Sequence, residues 1–172
     1  MDKLTQHAAQ VEPESDKLFV KMALNAWQIQ IKRANAAFDG LAEDRLLEEI
    51  APGKNRVIYL LGHLMVVHDA LLPLLGLGEK LYPELEKTFL TEPDKAIPTL
   101  PSAAELRASW TRVNAELARH FQAMTPQAWL QKHTAVSEED FLKDPSRNRL
   151  NVLLSRTSHV AYHLGQLALV KN

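Results

Sequence analysis

Apolar residues recur every three to four positions over four long stretches of this chain, and that period is the face of an α-helix. From about Ser15 to Phe38 the recurring residues are Val20, Leu24, Trp27, Ile31, Ala34 and Phe38, and Gly40 is a plausible stop. The second stretch runs from about Asn55, read as its N-cap, to Leu75, with Gly76 and Gly78 beyond it. The third opens at Pro101-Ser102, where Ser102 and Glu105 match a capping box. Its stripe is Leu106, Trp110, Val113, Leu117, Phe121 and Met124, and Thr125-Pro126 ends it. The fourth starts near Asn148, with Leu150, Leu153, Thr157, Val160, Leu164 and Leu167 in line. No stretch alternates strictly, so no sheet is expected. The fold class that follows is all-α: a four-helix bundle in one domain over residues 1–172, with 1–14 a poorly ordered N-terminal extension.

The connections are longer than tight turns between antiparallel neighbours need, so the bundle is expected to have long crossover connections. Residues 76–101 hold Pro83, Pro93, Pro98 and Pro101 and are expected to carry one short helix, around Glu84 to Phe89. Similar short pieces are expected at Glu43 to Ile50 and at Glu138 to Leu142. The second stretch is apolar around most of its circumference. It carries His63, His68, Asp69 and Pro73, which favours a buried helix over a membrane span. Such a helix offers more apolar surface than one bundle core needs, and a homodimer is the simplest way to cover the excess.

Composition narrows the partners. The 172 residues carry a formal net charge of −1, with 24% charged and 46% hydrophobic side chains. No global field draws nucleic acid or an anionic membrane, so neither is expected as a partner. There is no cysteine, which excludes a thiolate metal site, a disulfide framework and a cysteine nucleophile. A cysteine-free chain whose N-terminus lacks the apolar core of a signal peptide suits the cytoplasm.

The histidines carry the remaining chemistry. His159 and His163 stand four apart on the fourth helix, where four residues turn about 400° and rise about 6 Å. Both imidazoles then leave the same side, one turn apart, and two ring nitrogens can reach one ion. Neutral imidazole suits zinc, nickel, copper or ferrous iron. On a helical wheel the pair borders the apolar stripe, near Val152 and Val170, between core and solvent. A third ligand must come from elsewhere, and His63 and His68 on the second helix are the candidates. Periodicity places His68 at the centre of its stripe, with Leu61, Leu64 and Leu75, and His63 on the flank with Leu60, Val67 and Leu74. The alternative for a histidine as deep as His68 is a hydrogen-bonded core residue with no ligand role.

Two segments together resemble a known family. IAPGKNRVIYLLGHLMVVHD is similar to the second helix of the DinB/YfiT-like metal-binding bundles, with its Gly-His-Leu element after a Pro-Gly loop. SHVAYHLGQLALV resembles the family's last long helix, with two histidines four apart and then Gly-Gln. The order and spacing of the helices agree over nearly the whole chain. The resemblance implies a three-histidine site for a divalent ion, zinc, nickel or iron-like, with His63, His159 and His163 as ligands.

It also implies a metal-dependent enzyme that activates a low-molecular-weight thiol or a water, for transfer to or hydrolysis of a small-molecule substrate. The alternative is a non-catalytic metal-binding or stress-related bundle protein. Tyr59 lies one turn before His63 and Arg156 one turn before His159. With His68, they are the residues expected to border a substrate pocket.

Overall fold

The computed structural model describes the backbone of residues 3–170 and the side chains of residues 14–170. Apart from Glu14, the expected extension over residues 1–14 lies outside the residues whose side chains are described. The chain is helical throughout, and among the described residues the only extended pairings are two isolated bridges, Glu49 with Arg56 and Lys132 with Asn148. The helices are α1 (Lys3–Asp39), α2 (Glu43–Leu46), α3 (Val57–Asp69), α4 (Leu71–Leu74), α5 (Ala103–Ala123), α6 (Pro126–Trp129), α7 (Glu138–Lys143) and α8 (Arg149–Leu167).

Local chemistry sets most of the boundaries. At the start of α5, Ser102 Oγ accepts from Glu105 N while Glu105 Oε2 accepts from Ser102 N, so the expected capping box is formed. Asn148 Oδ1 accepts from Asn151 N at 2.9 Å and opens α8 where expected. Thr125-Pro126 both ends α5 and starts the short α6: Thr125 Oγ1 accepts from Ala128 N, and proline occupies the first helical turn. That second role was not read from the sequence.

Three expectations need correction. Asn55 is not the N-cap of the second helix. Its carbonyl accepts from Ile50 N at 3.0 Å, and the chain stays extended through Arg56, which occupies the cap position. The helix is also not continuous to Leu75. Pro73 has no N–H to offer the carbonyl of Asp69 four residues back, so α3 ends at Asp69 and α4 follows after Ala70. Residues 76–101 carry two short turns instead of one helix, a 3₁₀ turn at Pro83–Leu85 and a π turn at Lys87–Thr91.

The four long helices enclose one core, in which α1 packs chiefly along α8 and α3 chiefly along α5. Every residue of α3 is buried except His63. Val57–Leu74 is long and apolar enough to cross a membrane, yet 78% of it is buried within the fold, the position of a core helix. The apolar circumference that suggested a dimer is therefore covered inside one chain. Large apolar side chains that stay exposed lie elsewhere, among them Leu18, Phe19 and Met22 on α1 and Leu154 on α8.

Candidate metal centre

His63 reaches the site from α3, and His159 and His163 reach it from α8. The Nε2 atom of His159 lies 3.3 Å from that of His63 and 3.0 Å from that of His163. One ligand atom from each ring lies within 4.8 Å of the others. Zinc binds imidazole nitrogen at about 2.0–2.1 Å, which puts two nitrogens of a tetrahedral set about 3.3–3.4 Å apart. The spacing thus suits a first-row divalent ion.

The backs of two rings decide which nitrogen is free. His63 Nδ1–H donates to the carbonyl of Phe89 at 2.9 Å, and His163 Nδ1–H donates to Gln166 Oε1 at 2.7 Å. Gln166 is itself oriented, because its Nε2 donates to the Tyr162 hydroxyl at 3.2 Å. With Nδ1 carrying the proton, Nε2 of both rings presents a lone pair to the same point. Burial pushes the His159 pKa down to about 4, helped by the neighbouring histidines and Arg156, and burial also lowers that of His163. Both rings are therefore neutral near pH 7, as ligands must be. His163 is only 7% exposed, so it lies deeper than the border position expected for it, closed over by the rings of Tyr162 and His63.

A family model of the DinB superfamily matches residues 26–167. The chain belongs to the DinB superfamily. Among curated proteins, none matches. In this DinB chain the three convergent imidazoles are the group, among the described residues, that could hold a metal ion. Their donor set, three imidazole nitrogens at this spacing, fits a divalent cation. His159 differs from the other two ligands in that its Nδ1 is buried with no hydrogen-bond partner among the described residues.

Sequence reasoning did not find Phe89 or the wall it belongs to. Gly62 allows the Phe89 ring to sit against α3: a Cβ there would come within 2.2 Å of the ring. The ring is buried, packs on Tyr59 at 5.7 Å, and places the carbonyl that holds His63. Two carboxylates pin the connection on which Phe89 rides. At the C-terminal end of α3, Asp69 accepts from Leu81 N and Tyr82 N, both at 2.8 Å. At the N-terminal end, Asp94 accepts from Arg56 N and from its guanidinium, both at 2.7 Å. Burial works to raise the Asp94 pKa, but the Arg56 hydrogen bonds outweigh it and hold the carboxyl below its usual range.

The residues expected around a substrate pocket are placed differently from one another. Tyr59 is buried, and its hydroxyl donates to the Glu92 carbonyl at 2.7 Å, so it fastens the connection instead of facing a substrate. His68 has no exposed surface and lines no pocket. Its ring lies between Trp27 and Trp110, 4.7 Å from each, and its Nδ1–H donates to Asn114 Oδ1 at 2.9 Å. It is the core histidine that periodicity indicates. Arg156 is half-buried on α8, with an Nε that has no hydrogen-bond partner among the described residues.

Proposed function

We propose that this protein is a metal-dependent DinB-like enzyme, built as a four-helix bundle with long crossovers, that acts on a small molecule. His63, His159 and His163 would hold a zinc, nickel or iron-like ion through Nε2. The observation that carries this reading is the pair of tethered rings, His63 on Phe89 and His163 on Gln166, whose lone pairs meet beside His159. Tethering of this kind costs conformational freedom and is characteristic of metal-ligating histidines.

Three protein ligands leave coordination positions open, and an ion bound there supplies Lewis acidity and lowers the pKa of a small thiol or a water. Burial keeps His159 and His163 neutral, and the Phe89 carbonyl and Gln166 fix the tautomers of His63 and His163. Phe89 and Tyr59 make the adjoining wall apolar. A cysteine-free protein supplies no thiol of its own, which is compatible with an external one.

The test is cobalt-substituted protein titrated with a small thiol. Direct thiolate ligation should alter the cobalt absorption bands at millimolar thiol. An unchanged spectrum would remove the thiol arm and leave the hydrolase. Protein purified without an affinity tag that contains no metal, and that takes none up on reconstitution, would sink the whole reading. We also propose a homodimer in the cytoplasm. Support for the dimer comes from the exposed Leu18, Phe19 and Met22 of α1 beside Leu154 of α8.

A further inference from the structure

A second site lies away from the histidines, in the seam between α1 and α5. Because α1 packs along α8 and α5 along α3, the α1–α5 edge is the looser one, and a cleft of about 250 Å³ opens there. The two helices run antiparallel: the rings of Trp27 and Phe121 meet at 5.9 Å near one end, and Trp110 Nε1 donates to Asn35 Oδ1 at 2.7 Å near the other. The cleft is therefore graded along its length. Leu24, Trp27 and Phe121 supply the apolar surface of one end, rimmed by Gln28 and Gln122, and Lys32, Asn35 and Asn114 make the other end polar and the one that carries a charge. Leu24 and Ile31 belong to the apolar stripe of α1 yet remain half-exposed, because they pack on the core at its edge, where this cleft opens.

The polar end holds unused donors. Lys32 has no ion pair or hydrogen bond among the described residues. Asn35 spends its oxygen on Trp110 and keeps its amide hydrogens. Asn114 is only 8% exposed; its oxygen is taken by His68 and one amide hydrogen by the Trp110 carbonyl, which leaves the second. A positive charge and two amide donors at one end of an apolar slot match a carboxylate on a short hydrocarbon or single-ring body.

We propose that this cleft binds a small amphipathic carboxylate, with its tail against Trp27 and Phe121 and its head at Lys32, Asn35 and Asn114. The site shares no residue with the histidine triad and does not depend on a metal. Octanoate is the probe, with octanol as the control that lacks the charge. Tryptophan emission should respond saturably to octanoate, equally in metal-free protein and in the His163→Ala variant. Lys32→Gln should weaken octanoate at least tenfold while octanol binds as before. Ala118→Phe, which fills the middle of the cleft, should abolish the response to both with the helical spectrum intact. The methyl resonance of Ala118 in the unmodified protein should shift with octanoate, a reading that needs no variant. No saturable response at millimolar octanoate, no Ala118 shift, or equal losses of octanol and octanoate in Lys32→Gln would overturn the assignment.

Discussion

Gly62 and His63 are adjacent for a steric reason. The glycine leaves room for the Phe89 ring, and the Phe89 carbonyl fixes the neighbouring imidazole. Replacing any of His63, His159 or His163 with Ala should reduce metal affinity by orders of magnitude, since three ligands are the minimum for such open sites. Gln166→Ala removes only a tether and should cost about 10–100-fold in affinity with stoichiometry unchanged. His68→Ala should do the opposite. It empties a slot between two tryptophans and strands Asn114, costing about 1–3 kcal/mol in urea unfolding while metal binding survives. Loss of metal in His68→Ala with retention in His63→Ala would reverse the ligand assignment. His68 also sets a pH dependence. Burial chiefly pushes its pKa from 6.5 down to about 3 in the fold, so the folded state refuses a proton that the unfolded chain accepts. Its contribution is fully present above pH 6.5 and is lost as pH falls toward 3, so stability rises with pH across that window. Metal-free His68→Ala should show a shallower slope of urea midpoint against pH, by up to roughly 1.4 kcal/mol per unit. An unaltered slope would mean that His68 is not the group titrating. The depth of His68 was legible in the sequence, because a stripe reports how far a residue lies from solvent. Which neighbour His63 faces was not, because that depends on where α8 packs. The resemblance supplied it.

At the scale of elements, the connection over residues 76–101 acts as a strap laid along α3. Its carbonyl at Phe89 and its anchors at Asp69 and Asp94 tie the site to a segment that sequence reading took as a connection with one short helix and no part in the site. Backbone carbonyls leave no mark on residue type, so Phe89 had no signal to find. The four long helices were legible because each repeats its period over several turns, and Gly40, Ser102 and Asn148 mark one end each of α1, α5 and α8. The break at Ala70 had a signal, Pro73, but an apolar run on both sides masked it. Asp94→Asn should loosen the strap, leaving the Arg56 charge without its carboxylate. Amide exchange over residues 76–101 should accelerate, and metal should dissociate faster although no ligand has changed. Exchange that is faster in the strap with metal release unaltered would show that the Phe89 tether is dispensable.

The whole molecule covers α3 within one chain, so the proposed dimer would rest on the α1–α8 surface where Phe19, Met22 and Leu154 are exposed. Sedimentation at micromolar concentration should give a dimer, and Phe19→Glu with Met22→Lys should give a folded monomer. A wild-type monomer at that concentration would refute the interface. The separation of the ligands has a consequence for biosynthesis. His63 and His159 are 96 positions apart, and the carbonyl that orients His63 lies between them in the chain. A ribosome-bound chain that has produced only α3 and the strap holds one of the three proposed ligands, His63. If the triad binds an ion, the complete site forms only once α8 has been synthesised and docked. Partial translation products would then compete poorly with the finished protein for the cell's metal.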